Sequence, residues 1–308
     1  MACMPQTLID PVRESISQVD ADTWLIGPLL LHRSKGPCDT STWYDRDDTA
    51  SYTVTTAPTP RPASVPLPAD DPNIKLVYDA GDCSAVWSIG HSAFCKVKLS
   101  VPGTTAEATT LDFVRRQQPS FNIPTILHKT EYEDRYYLFL RRVPGRTLSD
   151  AWSTLDENWK NYYMSAIVDV CKFLECREGD NLCGVDGNNV LERYLVKRGA
   201  EEDFSPHNLR QGCEIMGMDC SKFVFYHADL GPGNIIVEDI PETGVIGIID
   251  WEIAGFFPRG WIRTKFRMSS GMDLPDSGKP LEWRSGVQKL LGIHGYEEYA
   301  TEFQAWWF

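Results

Sequence analysis

Short apolar stretches separated by polar or glycine-containing segments recur late in the chain, and their pattern predicts β-strands. Phe223–Tyr226, Ile235–Asp239 and Val245–Ile249 have the length and composition of buried strands. Pro241–Gly244 separates the last two stretches and favours a tight turn. The pattern therefore predicts a strand, a polar loop and a β-hairpin, in this order.

The first half of the chain contains two further pairs of predicted strands. Val86–Leu99 predicts two strands that are joined by a turn at Gly90. Ile123–His128 and Arg135–Arg142 predict two more strands, and the pattern ends at Val143–Gly145, which contains a proline and a glycine. We interpret this break as a hinge between two lobes.

Helical periodicity is present in two regions. Thr104 and Glu107 have the spacing of a capping box, and the apolar stripe of the helix that they predict consists of Ala108, Leu111 and Val114. A second helix is predicted to begin at Thr147. A longer apolar stripe follows it, which we interpret as core, at Trp159, Tyr163, Ala166, Ile167, Val170 and Leu174.

Three regions have weaker patterns. Thr49–Pro72 is rich in proline, threonine and serine, which predicts a loop or an extended linker. The 48 residues before it carry apolar groups at Trp24–Ile26 and Leu29–Leu31, which favour docking onto the small lobe. Residues 177–212 are rich in glycine and predict an irregular insertion. The predicted organisation is therefore an N-terminal extension with a linker (1–72), a small lobe (73–145) and a large lobe (146–308).

Composition narrows the class of protein. The chain has 308 residues, of which 42% are hydrophobic, so it can bury a large core. Its nine cysteines form no C-x-x-C pair and are odd in number, which favours reduced thiols in the core over a disulfide framework. We found no apolar leader and no stretch of membrane-spanning length, so we expect a cytoplasmic protein that does not bind membranes.

The net charge of −13 argues against a nucleic-acid partner, because no basic patch extends along the chain. The excess of acidic residues lies within residues 151–250. This excess has two interpretations, namely attraction of a cationic acceptor or an ordinary solvated surface, and the sequence does not decide between them.

The polar residues around the predicted hairpin carry the candidate chemistry. His227, Asp229 and Asn234 lie in the loop before it, and Asp250 follows its second strand, so a single hairpin would bring them together. A carboxylate such as Asp229 can orient a hydroxyl group for attack on a phosphoryl group. Asn234 and Asp250 offer the hard oxygen ligands that magnesium prefers. Taken singly, each residue has an ordinary structural explanation, and for His227 this is a buried structural histidine.

The order H-x-D-x-x-x-x-N, then strand, turn, strand and aspartate, resembles the aminoglycoside and choline phosphotransferase family, and in particular its members from filamentous fungi. This family is a branch of the protein-kinase-like fold. The resemblance implies an α+β, bilobal protein-kinase-like fold, with an antiparallel sheet in the small lobe and a mainly helical large lobe. It also implies ATP and Mg2+ as cofactors, Asp229 and His227 as catalytic residues, and Asn234 and Asp250 as metal ligands.

The resemblance extends to the nucleotide side. In the family a lysine follows an apolar pair on a strand, and Phe94-Cys95-Lys96 matches this pattern, with Lys98 on the same face as the alternative. The family pairs this lysine with a glutamate at the start of the next helix, which corresponds to Glu107. Backbone groups of the hinge would bind the adenine edge, and here these belong to Arg141, Arg142 and Val143.

The resemblance places the acceptor pocket between the 177–212 insertion and the C-terminal segment, where four tryptophans either line a pocket or pack in the core: Trp261, Trp283, Trp306 and Trp307. The chain lacks a glycine-rich phosphate motif and has no room for a peptide-binding activation segment, which favours a metabolite acceptor. We therefore expect an ATP- and Mg2+-dependent phosphotransferase that acts on a hydroxyl of a small molecule. The alternatives are a kinase-fold enzyme of secondary metabolism with non-phosphoryl chemistry, such as cyclisation, and a non-catalytic nucleotide-binding protein. The oligomeric state stays open.

Overall fold

The structure is a computed structural model that describes residues 11–275 and 278–308. The predicted N-terminal extension begins with residues 1–10, which include Cys3 and Asp10 and lie outside the described part. The described chain divides into two compact units, within each of which the residues mainly contact one another. The first unit comprises the chain up to Val101 together with Thr125–Arg142, and the second comprises Pro102–Pro124 together with Val143–Phe308. The expected lobe boundaries at 72 and 145 stay predictions.

The first unit contains two antiparallel sheets. The six-stranded sheet has the order β4-β5-β3-β2-β1-β6, with β1 Ile16–Asp20, β2 Thr23–Ile26, β3 Leu29–Lys35, β4 Trp43–Asp45, β5 Ala50–Thr56 and β6 Val65–Pro66. The five-stranded sheet has the order β10-β11-β9-β8-β7, with β7 Ile74–Asp79, β8 Ser84–Ile89, β9 Ala93–Leu99, β10 Thr125–Tyr132 and β11 Arg135–Arg141. The second sheet contains all four strands that the sequence predicts for the small lobe.

One hydrophobic core joins the two sheets of the first unit. Trp24 and Tyr52 of the first sheet are buried in the same cluster as Trp87 and Phe139 of the second. Docking of the N-terminal segment is therefore confirmed. The prediction of a loop or an extended linker from Thr49 is wrong for Ala50–Thr56, because β-branched and aromatic side chains there favour a strand and cover the core.

A buried carboxylate fixes the turn between β8 and β9. Asp45, at the end of β4, is fully buried, and its Oδ2 accepts hydrogen bonds from the backbone N–H groups of His91 at 2.7 Å and Ser92 at 3.1 Å. A Cβ atom at Gly90 would lie 2.5 Å from this oxygen, so the turn requires glycine there. The carbonyl of Ser92 in turn accepts a hydrogen bond from the N–H of Arg142 at 2.8 Å. Asp45 thus supports the chain where it leaves β11.

The second unit combines helices with two small sheets. The α-helices among its described residues are α1 Glu107–Arg116, α2 Leu148–Ala151, α3 Glu157–Glu175, α4 Pro206–Ile215, α5 Arg259–Met268, α6 Glu282–Ile293 and α7 Ala300–Trp307. One sheet has the order β12-β15-β16, with β12 Arg146–Thr147, β15 Ile235–Val237 and β16 Ile246–Ile248. The other has the order β13-β14-β17, with β13 Glu178–Gly179, β14 Phe223–His227 and β17 Ala254–Phe257.

The structure corrects two predictions about helices in this unit. The capping box at Thr104 does not form, because α1 begins at Glu107 with Ala106 as its N-cap, and no side-chain capping hydrogen bond is made there. The 177–212 region is not wholly irregular, because α4 begins at Pro206 after the capping residue Ser205. The apolar stripe of α1 and most of that of α3 are buried, as predicted.

The cysteines and the helices bear on two further expectations. All eight described cysteines are free thiols, as predicted, although Cys38, Cys83 and Cys176 are exposed rather than in the core. No helix in the described part of the chain is both long and apolar enough to cross a membrane.

We predict that Asp45→Ala lowers the free energy of unfolding by about 3 kcal/mol, because each buried N–H that loses its acceptor costs roughly 1–3 kcal/mol. Asp45→Asn, which keeps one acceptor oxygen, should lose less. Urea denaturation of the full chain measures both values, with the exposed Asp39→Ala as the control. Equal stabilities of Asp45→Ala and Asp39→Ala would contradict the anchoring role of Asp45.

Candidate active site

His227 links the two ends of the candidate site. Its side chain is fully buried at the end of β14, and Nδ1 accepts a hydrogen bond from the backbone N–H of Asp229 at 3.2 Å. Nε2 lies 3.1 Å from the carbonyl oxygen of Ile249. Because Nδ1 is an acceptor, we assign the ring proton to Nε2, which donates to Ile249. The ring also packs edge-on against Trp251, with the ring centroids 4.7 Å apart.

The histidine is uncharged at neutral pH. Burial lowers the pKa of His227 to about 4, because the charged imidazolium loses its hydration. Both ring nitrogens are used by backbone groups, one in the loop and one beside Asp250. The structure therefore joins His227, Asp229 and the end of β16, as the sequence predicts, through a neutral side chain.

Asn234 holds Asp229 in place. It ends a 3-10 turn, Pro232–Asn234, and its Nδ2 donates to both the backbone carbonyl and the carboxylate Oδ2 of Asp229, each at 2.9 Å. The backbone carbonyl of Asn234 accepts a hydrogen bond from the N–H of Ile249 at 3.0 Å, which connects the loop with the end of the second hairpin strand. Since the amide nitrogen points to Asp229, the amide oxygen Oδ1 is the atom that can act as a metal ligand.

The hairpin itself is built as predicted. β15 and β16 pair in antiparallel register, with Ile235 opposite Ile248. In the connecting turn the carboxylate of Glu238 accepts hydrogen bonds from Thr243 Oγ1 and from the N–H groups of Glu242, Thr243 and Gly244. These bonds, above all the one from the Thr243 hydroxyl, lower the pKa of Glu238 to about 2.

The carboxyl group of Asp229 has a pKa raised to about 6. Burial is the main cause, and the charges of Asp250 and Glu192 add to it, whereas Lys265 and the Asn234 hydrogen bond oppose it. Lys265 and Glu192 form a buried ion pair, in which Nζ lies 2.7 and 2.6 Å from the two carboxylate oxygens. Because the two charges of this pair act on Asp229 in opposite directions, desolvation determines the sign of the shift.

Asp250 adopts a left-handed backbone conformation, with φ of +63° and ψ of +63°. Such a conformation costs free energy for a residue other than glycine and is found preferentially at functional sites. It directs the chain into the 3-10 turn Trp251–Ile253, and the N–H of Trp251 donates to Oε1 of Glu107 at 3.1 Å. The first residue of α1 thus contacts the residue after Asp250.

Three carboxylates converge next to this turn. Oxygen atoms of Glu107, Asp250 and Glu252 lie within 4.8 Å of one another, and Glu107 is almost completely buried. Hard oxygen atoms at this spacing suit a divalent cation. Asp250 is a candidate ligand predicted from the sequence, whereas Glu252 was missed, although it follows Asp250 by two residues and a 3-10 turn keeps such residues near one another.

The nucleotide-side candidates lie on predicted elements. Lys96 is half-buried on β9, between Cys95 and Val97, whose side chains are in the core, so Lys96 is on the opposite face of the sheet. Lys98 shares this face. Arg141 ends β11, and Arg142 uses its N–H for the Ser92 carbonyl and places its guanidinium 5.7 Å from the Phe94 ring. These four residues belong to the first unit.

The remaining candidates belong to the second unit. Val143 begins it after β11, and a Cβ at Gly247 would lie 2.5 Å from its side chain. Trp261 and Trp283 are fully buried, and their indole nitrogens donate to Glu192 and to the Leu230 carbonyl, both at 3.4 Å. They are packing residues.

Trp306 and Trp307 behave differently from the other two tryptophans. Both are partly exposed, and each lines a surface cleft of the second unit, of about 490 Å3 for Trp306 and about 370 Å3 for Trp307. The sequence left open whether the four tryptophans line a pocket or pack in the core. Trp306 and Trp307 line clefts, whereas Trp261 and Trp283 pack in the core.

Comparison with known proteins agrees with this architecture. No protein-family model and no curated protein matches the sequence. The solved structure of aminoglycoside phosphotransferase APH(3'')-Id from Streptomyces rimosus is similar, with a TM-score of 0.52 at 15% identity over 76% of this chain and 92% of that chain. The streptomycin–ATP complex of APH(2")-IIa gives a TM-score of 0.44 at 14% identity, over 74% of this chain and 77% of that chain. A mutant APH(4)-Ia with AMP-PNP and hygromycin B gives 0.43 at 17% identity, over 76% and 91%.

The first of these likenesses establishes the fold class. The chain has the α+β, protein-kinase-like fold of the aminoglycoside phosphotransferases, with antiparallel sheets in the N-terminal part and a helical C-terminal part. The predicted fold is therefore confirmed. The roles of individual residues stay predictions.

We predict that Asp229→Asn stabilises the protein at pH 8 by about 2–3 kcal/mol, because the folded-state pKa of about 6 exceeds the unfolded value of roughly 3.9. When the pKa of a carboxyl group is higher in the folded state, its contribution to the free energy of unfolding is fully present below the unfolded-state pKa. This contribution is lost as pH rises through the folded-state pKa. The gain should therefore disappear near pH 4. Urea denaturation at both pH values measures it, with exposed Asp239→Asn of the same hairpin as the control. A loss of stability at pH 8, or an equal effect at both pH values, would refute the desolvation of Asp229.

Proposed function

We propose that the protein is an ATP- and Mg2+-dependent phosphotransferase that phosphorylates a hydroxyl group of a small molecule. One observation carries this proposal. The Asn234 amide holds the Asp229 carboxylate at 2.9 Å, in a loop that His227 ties to the chain next to Asp250. The carboxylate that would accept the hydroxyl proton, Asp229, thus lies at the same end of the hairpin as the proposed metal ligands Asn234 and Asp250.

Asp229 would act as the base. Its Oδ2 accepts the Asn234 hydrogen bond, and its other oxygen would accept the proton of the acceptor hydroxyl. The hydroxyl oxygen would bond to the γ-phosphorus of ATP, the bond from this phosphorus to the β,γ-bridging oxygen would break, and ADP would leave. With a pKa of about 6, Asp229 is mostly ionised at pH 7 and more basic than an ordinary aspartate.

The oxygen atoms around Asp250 would hold the metal. Asp250 and Oδ1 of Asn234 are hard donors, as Mg2+ requires, and Glu252 adds a carboxylate that lies near Asp250. When bound, Mg2+ would neutralise negative charge on the phosphate groups. Glu107 lies near the same carboxylates. In the family the corresponding glutamate pairs with the strand lysine, so Glu107 would hold the ammonium group of Lys96 near the phosphates.

The hinge and the histidine would have supporting roles. Because the N–H of Arg142 is bonded to Ser92, Val143 would supply the backbone donor to the adenine edge, next to Arg141. His227 would position the loop and transfer no proton, since both of its nitrogens are bonded to the backbone and its pKa is about 4. The shared fold with an aminoglycoside phosphotransferase supports a small-molecule acceptor, although it does not identify one.

The metal assignment predicts different effects for two variants of the hairpin. Asp250→Ala should weaken ATP binding in the presence of Mg2+ by about tenfold or more, which is at least 1.4 kcal/mol, and should have little effect on binding without Mg2+. Asn234→Ala should weaken it less, because an amide lacks the full negative charge of a carboxylate. Isothermal titration calorimetry with and without Mg2+ measures these affinities.

Asp239→Ala is the matched control, since Asp239 is an exposed acid of the same hairpin. Its affinity for ATP should equal that of the wild type under both conditions. Equal losses in Asp250→Ala and Asn234→Ala that do not depend on Mg2+ would disprove the metal assignment, and an absence of ATP binding in the wild type would disprove the proposed function.

A further inference from the structure

A cleft of about 370 Å3 in the second unit has a wall of stacked aromatic rings. The rings of Tyr194 and Trp307 lie nearly parallel, at an interplanar angle of 26° and a centroid distance of 5.9 Å. Val196 and Phe204 complete the apolar part of the lining. This volume and this lining suit a small organic molecule with a flat ring.

The rim of the cleft is cationic. Arg193, Lys197 and Arg198 lie there with one acid, Glu202, which is paired with Arg193. In the part of the chain that the structure describes, Lys197 and Arg198 form no ion pair. Two exposed positive charges are thus left at the rim, in a chain whose net charge is −13. A polycationic ligand would meet repulsion at this rim, whereas an anionic group would find two partners.

The aromatic wall also packs on a buried ion pair. The Lys265 ammonium lies 4.3 Å from the centroid of the Tyr194 ring, and Glu192, its ion-pair partner, accepts the Tyr194 N–H at 3.0 Å. Tyr194 therefore borders the cleft and covers the buried ion pair, which holds the aromatic wall in place.

We propose that this aromatic–cationic cleft, lined by Arg193, Tyr194, Lys197, Arg198, Phe204 and Trp307, binds a planar aromatic molecule with an anionic group. The flat ring packs on Tyr194 and Trp307, and the anionic group pairs with Lys197 and Arg198. The cleft selects against polyamine ligands by charge.

Calorimetric titration of the full chain with three probes tests this ligand class. 4-Hydroxycinnamate is a planar aromatic anion with a hydroxyl group, 4-hydroxycinnamyl alcohol has the same ring system without the charge, and gentamicin is a polycation. The wild type should bind the anion more tightly than the neutral alcohol, and should not bind gentamicin. The titrations contain no nucleotide, so they measure the cleft independently of phosphoryl transfer.

Two double variants identify the residues that bind the anion. Lys197→Ala/Arg198→Ala should weaken binding of 4-hydroxycinnamate by about tenfold, which corresponds to 1.4 kcal/mol, and should leave binding of the alcohol unchanged. Arg210→Ala/Lys222→Ala removes the same two residue types outside the cleft, where each is paired with an acid, and should change neither affinity. Trp307→Leu should weaken binding of both aromatic probes.

The possible results separate this inference from the proposed function. Equal affinity of the wild type and Lys197→Ala/Arg198→Ala for 4-hydroxycinnamate, tighter binding of gentamicin, or no binding of the anion would each overturn the proposed ligand class, whether or not Mg2+-dependent ATP binding is present. Anion binding that depends on Lys197 and Arg198 supports the cleft as an anion site. An absence of ATP binding would then disprove the proposed function alone and leave the ligand class of the cleft intact.

Discussion

The hydrogen bond from the Asn234 amide to the Asp229 carboxylate is the interaction on which the site depends. Asp229 is desolvated enough to raise its pKa to about 6, so an ionised carboxylate there is unfavourable for folding. The Asn234 amide offsets part of this cost, and the two bonds of His227 hold the loop against the end of β16. Burial thus raises the pKa of the carboxylate, and the hydrogen bond that keeps the carboxylate in place limits the rise.

The surrounding fold makes this arrangement rigid. Every residue of β14 is buried, and the indole of Trp251 packs against His227 and donates to the Ile248 carbonyl. In the first unit, the N-terminal sheet adds a second layer to the sheet that carries Lys96, and Asp45 fixes the turn that precedes β9. A buried polar side chain in each unit, Asp45 in the first and His227 in the second, forms hydrogen bonds with backbone groups that are not paired within a β-sheet.

Local patterns predicted the elements whose side chains alternate or repeat regularly, namely the β15–β16 hairpin, the β8–β9 pair and the stripes of α1 and α3. The errors arose where tertiary contacts override local pattern. β5 forms although it lies in a proline- and threonine-rich stretch, because Ala50 and Tyr52 pack in the core of the first unit. Thr104 is not the N-cap of α1, because the helix begins only at Glu107, where the Glu107 carboxylate accepts the Trp251 N–H. The Lys265–Glu192 pair could not be found from spacing alone, because its two residues are distant in sequence. Glu252 was missed although its spacing of two residues from Asp250 was a usable signal.

The central claim is that this site transfers a phosphoryl group, and mass spectrometry of the products tests it most directly. Wild type and Asp229→Asn are incubated with a mixture of small-molecule alcohols and phenols, with and without Mg2+-ATP. The account predicts a product heavier than its substrate by one phosphoryl group, formed by the wild type only when ATP is present and nearly absent with Asp229→Asn. A product that forms without ATP and lacks this added mass would contradict the account and favour non-phosphoryl chemistry, such as cyclisation, on the same fold.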